Sequence, residues 1–115
     1  MTSDGPIGIM CALPQEQELL LAAIGDPDPL PHPGIEARQG SLDDHLVVIA
    51  AAGVGKVNAA ITATLMVERL GCRALVLSGV AGGLSAEASI GDIVIADRLI
   101  DIDYGRLTPE GRIVY

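Results

Sequence analysis

The sequence predicts an α/β fold in which several strands end at one ligand-binding edge. Two apolar runs, residues 47–52 and 74–78, each pass directly into a glycine-rich turn. A third apolar run, residues 7–13, leads into an acidic helix. Glycines at the carboxyl end of a strand let a ligand approach bare backbone N–H groups. Because ligands of open α/β sheets bind at that edge, we expect the three segments to form one wall of a small-molecule pocket.

The first half of the chain is predicted to contain strands and one helix. Residues 7–13 form a short apolar run that is typical of a buried strand. A helix is predicted from Pro14 to about residue 24, because proline is tolerated in a first helical turn and acidic residues there suit the helix dipole. Residues 25–34 carry four prolines and are predicted as a loop without regular structure. Residues 35–41 and 45–52 are predicted as a hairpin.

The second half begins with a helix predicted over residues 56–70. Its apolar residues recur at helical spacing, a pattern that is typical of the side of a helix that faces the core. They are Val57, Ala60, Ile61 and Leu65. Residues 73–78 are the next predicted strand, which makes residues 45–78 a βαβ unit. Further along the chain we expect a strand over residues 92–102 and a second hairpin over residues 106–115.

The composition limits the classes of partner. A length of 115 residues suits one small domain, and a mean hydropathy of +0.46 disfavours disorder. The net charge of −8 disfavours nucleic acid and anionic membranes, because both require a basic surface. Cys11 and Cys72 fit no metal site and are expected as reduced residues in or near the core. The first six residues lack the basic region of a signal peptide, so we expect a cytoplasmic protein.

The residues alone leave the chemistry open. Neither glycine turn has the spacing of a nucleoside-triphosphate or dinucleotide loop, so tight strand-to-helix turns are an equally good interpretation. Glu16 lies in the first turn of a helix just after a strand, where it could orient or deprotonate a water molecule. The alternative for Glu16 is a solvated carboxylate that favours the helix dipole. With two histidines and no clustered ligands, a metal site is not expected.

Four segments, in order, resemble one known family. Residues 7–16 (IGIMCALPQE) resemble the N-terminal strand and helix of 5′-methylthioadenosine/S-adenosylhomocysteine (MTA/SAH) nucleosidases, which belong to the purine nucleoside phosphorylase superfamily. Residues 53–60 (GVGKVNAA) are similar to the family's Gly-Ile-Gly-Lys-Val segment. Residues 78–84 (SGVAGGL) resemble its Thr-Gly-Ser-Ala-Gly-Gly-Leu turn. Residues 90–97 (IGDIVIAD) resemble its Val-Gly-Asp-Ile-Val-Val-Ser-Asp strand.

The resemblance implies a three-layer α/β/α fold with a mixed central sheet. Residues 1–115 would be the N-terminal part of a single nucleosidase- or phosphorylase-like domain, which would make the chain truncated. The implied activity is hydrolysis of the N-glycosidic bond of a 5′-substituted purine nucleoside. No metal or organic cofactor is implied, and the expected assembly is a homodimer.

The resemblance also implies roles for particular residues. Glu16 would hold and activate the attacking water. The other implied positions would contact substrate: Ala12 and Leu13 on the ribose side, Val54 at the 5′-alkylthio group, and Val80, Ala81 and Gly82 beside the ribose and the base. Val80 stands where the nucleosidases carry serine, which leaves the substrate class open.

Two alternatives accompany this hypothesis. The first is a nucleoside phosphorylase or a related nucleoside hydrolase of the same superfamily. A phosphorylase would need to hold a phosphate dianion, usually with arginine. The glycine turns offer Lys56 but no arginine, so hydrolysis is favoured. A non-catalytic nucleoside-binding or assembly module would keep the turns but not need Glu16. Because the family's second half carries the groups that bind the ribose hydroxyls and protonate the purine, we expect the 115-residue chain alone to be inactive or nearly so.

Overall fold

A computed structural model describes residues 4–114, and its contacts divide the chain into two compact units, Met1–Ala81 and Gly82–Tyr115. The units are described separately, and the single domain expected over residues 1–115 stays a prediction. In chain order the elements are β1 (Ile7–Cys11), α1 (Pro14–Ala23), β2 (Asp28–His32), β3 (Ile35–Leu42), β4 (His45–Ala51), α2 (Lys56–Glu68), β5 (Ala74–Leu77), β6 (Gly105–Thr108) and β7 (Gly111–Val114). None of the helices between residues 4 and 114 is long and apolar enough to cross a membrane.

The first unit is built on a five-stranded mixed sheet, with the order β2-β3-β4-β1-β5. β1 runs parallel to both β4 and β5, and β3 pairs antiparallel with β4 and β2. The predicted hairpin is confirmed: its two-residue turn places Asp43 and Asp44 at φ of 47° and 64°, as a type I′ turn requires. The parallel βαβ unit is confirmed as well, with β1 lying between its two strands.

Each face of this sheet is covered by a different helix. On one face Ile9 and Ile49 pack with Ile24 and Leu20, at and near the end of α1. On the other face Met10 and Val48 pack with Met66 of α2. Side chains alternate between faces along a strand, so neighbouring residues enter different clusters. The three-layer α/β/α arrangement with a mixed sheet is therefore confirmed. Cys11 and Cys72 are buried free thiols, as predicted.

The apolar stripe predicted for α2 is wrong for Val57, Ala60 and Ile61, which are exposed, and is confirmed for Leu65, which packs against the core. Val57 and Ile61 are 74% and 53% exposed, whereas Thr62 and Met66 are buried against the sheet. Small side chains at Ala59 and Ala63 complete the packed face. The helix has apolar residues on more than one side, so spacing alone could not choose the side that packs.

The proline-rich loop prediction for residues 25–34 is also wrong, because β2 forms within it. β2 lies at the edge of the sheet and pairs only with β3. Pro29 and Pro31 are two residues apart, so their nitrogens point to the same side of the strand. Proline is tolerated on an edge strand when the missing N–H faces away from the partner.

In the second unit the predicted hairpin is confirmed, and the prediction of a strand before it, over residues 92–102, is wrong. β6 and β7 pair antiparallel, and the Thr108 hydroxyl donates a hydrogen bond of 2.9 Å to the Gly111 carbonyl across the turn. Tyr115, which the prediction included, lies outside the described residues. No strand forms over residues 92–102 in the described part of the chain. There the side chains of Ile93 and Ile95 are exposed, and an apolar run becomes a strand only when a neighbour completes its ladder.

Candidate active site

Three turns meet at the carboxyl edge of the parallel strands in the first unit. β1 lies between β4 and β5. Just beyond the end of each of these two strands, a backbone N–H donates one more hydrogen bond to a β1 carbonyl. The Ala52 N–H donates to the Cys11 carbonyl at 2.7 Å, and the Ser78 N–H donates to the Met10 carbonyl at 2.8 Å. The turns after β1, β4 and β5 therefore leave the sheet side by side, with the turn after β1 in the middle.

The turn after β4 depends on glycine conformation. Gly53 and Gly55 have φ of +80° and +103°, a region that residues with a Cβ rarely adopt. Between them Val54 is 71% exposed. The Asn58 side-chain amide donates a hydrogen bond of 2.8 Å to the Val54 carbonyl and so ties the turn to the first turn of α2. The outcome is a rigid turn that presents one apolar side chain.

Glu16 joins the turn after β1 to the turn after β5. It is the third residue of α1, and one of its oxygens, Oε2, accepts a hydrogen bond of 2.8 Å from the Leu13 N–H at the start of the helix. Its other oxygen, Oε1, accepts a bond of 3.1 Å from the Val80 N–H. Leu13 has extended backbone dihedrals, so its N–H has no helical partner. One carboxylate thus satisfies backbone donors from the turns that follow two different strands.

These bonds favour the ionised form of Glu16. The Leu13 and Val80 N–H groups lower the pKa of the carboxyl below its ordinary value; partial desolvation opposes them, and the Ala12 backbone adds a smaller lowering. The buried thiol of Cys11 has a raised pKa, first because of burial and second because of the nearby Glu16 charge. At neutral pH the Glu16 carboxylate is ionised and accepts hydrogen bonds, including from a water molecule.

The carboxylate retains capacity for a further partner. An ionised carboxylate has about four acceptor positions, and the backbone donors do not fill them all. The side chain is partly exposed at the edge of the sheet, so a water or a ligand hydroxyl can reach it. A water held there would be oriented by a fixed base, as water-activating sites require.

The structure places the predicted substrate-contacting residues on all three turns. Ala12 and Leu13 follow β1, Val54 follows β4, and Val80 and Ala81 follow β5. Hydrogen bonds bring Leu13, Glu16 and Val80 together, whereas the turn carrying Val54 lies on the other side of β1. Val80 is 88% exposed. Gly82 begins the second unit, and its place in the site stays a prediction.

Sequence reasoning missed the backbone donors that hold Glu16. One sequence signal was available: a glutamate three residues after a non-helical residue is in the position from which it reaches back to the helix start. The bond to Val80 had no such signal, since the two residues are 64 positions apart.

A separate groove lies along α1. A groove of about 970 Å³ runs between α1 and the hairpin of β2 and β3, and its lining does not include Glu16 or the glycine turns. Among its lining residues, no carboxylate accepts from backbone donors as Glu16 does. Among residues 4–114, no three His, Cys, Asp or Glu side chains are grouped so that they could bind a metal ion.

The chain is similar to known proteins in sequence and in fold. The phosphorylase superfamily matches residues 6–113. The 5′-methylthioadenosine/S-adenosylhomocysteine nucleosidase of Mycobacterium tuberculosis is 51% identical over 104 residues, which are 90% of this chain and 41% of the relative.

Solved structures agree with the sequence relatives. An S-adenosylhomocysteine nucleosidase from Streptococcus pyogenes, in complex with 5-methylthiotubericidin, matches with a TM-score of 0.72 and 31% identity, over 79% of this chain and 39% of that one. A Helicobacter pylori MTAN mutant with 5′-methylthioadenosine in its active site matches with a TM-score of 0.70 and 30% identity, over 76% and 38% of the two chains. The chain thus spans about two fifths of the relatives' length. The resemblance to MTA/SAH nucleosidases is confirmed, and the chain belongs to the phosphorylase superfamily.

Proposed function

We propose that this chain carries the water-activating part of a nucleosidase that hydrolyses the N-glycosidic bond of 5′-substituted purine nucleosides. The observation that supports it most is the Glu16 carboxylate, held between the Leu13 and Val80 N–H groups at the carboxyl edge of the sheet. This is where an α/β fold binds its ligands. The nucleosidases to which the chain is similar supply the substrate class.

In this proposal the reaction is a displacement at the anomeric carbon. The bond from that carbon to the purine nitrogen breaks, and the purine takes the electron pair and gains a proton from solvent, to which Glu16 later returns the proton it takes from water. Positive charge develops on the sugar in an oxocarbenium-like transition state. Water forms the new carbon–oxygen bond and gives a proton to the ionised Glu16 carboxylate. The fixed carboxylate also stabilises the developing positive charge.

The exposed side chains of the turns support a substrate with an apolar 5′ group. Val54 projects from its turn and would contact a 5′-alkylthio substituent. Ala12 and Leu13 would lie along the ribose, and Val80, Ala81 and Gly82 beside the ribose and base. Apolar contacts of this kind select by shape and burial, so a charged 5′-phosphate would bind poorly against Val54.

A nucleoside phosphorylase is the second candidate. It would need a cation to hold phosphate, and arginine is the residue best suited to bidentate phosphate binding. The three turns contain Lys56 but no arginine. Hydrolysis is therefore the better-supported reaction, and addition of phosphate should not accelerate turnover.

A chimera tests the proposed activity. Residues 1–115 would replace the matching region of the M. tuberculosis nucleosidase, which supplies the rest of the fold. We expect the chimera to release adenine from 5′-methylthioadenosine without added phosphate, and the 115-residue chain alone to release little or none. The rest of the M. tuberculosis enzyme, expressed without the grafted residues, is the control. A folded chimera without activity, or one that requires phosphate, would contradict the proposal.

We propose a homodimer as the assembly and the cytoplasm as the location. The exposed apolar side of α2, formed by Val57 and Ile61, supports self-association because burying it would remove apolar surface from water. The two free cysteines agree with a reducing compartment.

Sedimentation of the chimera should show a dimer. The substitution Ile61→Glu should dissociate this dimer, because it would bury a charge at the interface. A monomeric parent chimera would rule this interface out.

A further inference from the structure

Gly79, in the turn after β5, is a glycine that its backbone does not require. Several glycines of the chain have positive φ, among them Gly53 and Gly55, and those positions disfavour any other residue. Gly79 is not one of them, so its backbone would accept an alanine. The reason for a glycine here must lie in what surrounds it.

The neighbour that would meet a side chain at position 79 is Glu16. A Cβ built on Gly79 would lie 3.0 Å from Oε1 of Glu16, 3.4 Å from its Cδ and 3.6 Å from its Oε2. All three nearest atoms belong to that one carboxylate. The separation of 3.0 Å is shorter than an ordinary carbon–oxygen contact, so the carboxylate would have to move by a few tenths of an ångström.

We propose that Gly79 is a positioning residue, whose missing side chain lets the Glu16 carboxylate lie against the turn after β5 and accept the Val80 N–H. The catalytic consequence rests on the role proposed for Glu16, but the positioning itself does not. Oε1 is both the atom nearest to the absent Cβ and the atom that accepts from Val80. A methyl group at position 79 would therefore act directly on that hydrogen bond.

The displaced carboxylate would keep one of its anchors. Its Oε2 bond to Leu13 lies within α1, three residues away, and does not involve the turn after β5. The atoms that must move are at the end of a flexible side chain, so the fold should tolerate the change. We expect the Val80 bond to be lost, the Leu13 bond to remain, and the pKa of Glu16 to rise toward its ordinary value.

The titratable surroundings make this shift straightforward to interpret. β5 and the turn after it contain no ionisable side chain, and β1 contributes Cys11, whose raised pKa partly reflects the charge of Glu16. On α1 itself the remaining ionisable residue is Glu18. Selective observation of the Glu16 carboxyl carbon therefore separates its titration from that of Cys11 and Glu18.

Nuclear magnetic resonance titration of the full 115-residue chain tests the proposal. In the wild type, the Leu13 and Val80 amide protons should both shift with pH at the midpoint of the Glu16 carboxyl carbon. In Gly79→Ala, the Val80 amide should lose this shift, the Leu13 amide should keep it, and the Glu16 midpoint should move to higher pH. Gly82→Ala is the control for the titration, because nothing lies within 4 Å of a Cβ there and the Glu16 midpoint should not move.

The outcomes either support or overturn the proposal. It is overturned if the Val80 amide titrates with Glu16 equally in the wild type and in Gly79→Ala. Failure of Gly79→Ala to fold would also count against it, since the displacement should be confined to one side chain. The double variant that combines Gly79→Ala with Glu16→Ala provides a second check. The pH-dependent change in the Val80 amide chemical shift should be the same in this double variant as in Glu16→Ala alone. None of these measurements depends on turnover, so they stand whether or not the nucleosidase proposal holds.

Discussion

Replacing Glu16 with Gln in the chimera should reduce adenine release by about 10²–10⁴-fold, the range expected when a general base is lost. Gln keeps the length of the side chain and one oxygen that can accept the Leu13 N–H, so α1 should start at the same residue. It loses the negative charge and can no longer take a proton from water. Turnover should fall while the affinity for a non-hydrolysable 5′-alkylthio nucleoside stays nearly unchanged.

The matched control is Glu18→Gln on the same helix. Glu18 lines the groove between α1 and the hairpin of β2 and β3, and its replacement should leave turnover unchanged. Steady-state kinetics and calorimetric binding on both variants separate an enzyme from a binding module. If Glu16→Gln retained full turnover, Glu16 would be only a helix-capping residue. If the parent chimera bound nucleoside without hydrolysing it, the binding-module hypothesis would replace the enzyme.

Met66→Ala should destabilise the chain by about 2–5 kcal/mol, the range for truncating a fully buried large aliphatic side chain. Met66 is 0% exposed and joins α2 to the sheet cluster around Met10 and Val48. Its removal takes away apolar contacts and leaves a cavity. The cavity lies beside Gly8, because the Met66 methyl is among the atoms nearest to a Cβ built on that glycine. Urea unfolding of the 115-residue chain, followed by far-ultraviolet circular dichroism, measures the change.

Val57→Ala is the control for that experiment. Val57 belongs to the stripe that sequence spacing favoured for packing, but it is 74% exposed in the structure. Its truncation should change the unfolding free energy by less than about 0.5 kcal/mol, as is usual for surface substitutions. The measurement is made at low protein concentration so that self-association does not contribute. A larger loss for Val57→Ala than for Met66→Ala would mean that α2 packs through the stripe after all.

The elements that could be predicted are those whose local sequence pattern matches the position that they take in the sheet. β1 and β4 are short apolar runs with helices after them, and the Asp43–Asp44 turn separates two strands by two residues that tolerate positive φ. β2 could not be predicted, because proline excludes a central strand and only the sheet order shows that β2 is at the edge. The strand expected over residues 92–102 failed for the same reason, since pairing is a property of two segments and not of one.

For the site, the sequence determined which residues are present, and the tertiary structure decided how they act. The glycine turns, Glu16 and the four family segments were evident from the chain alone. The Glu16 carboxylate accepts a hydrogen bond from the Val80 N–H, and Gly79 leaves room for it. Only the packing of β1 beside β5 decided this contact. Local patterns encode propensity, whereas a hydrogen bond between residues 64 positions apart requires the sheet to align them. The same reason applies to α2, where only packing chose which apolar side is buried.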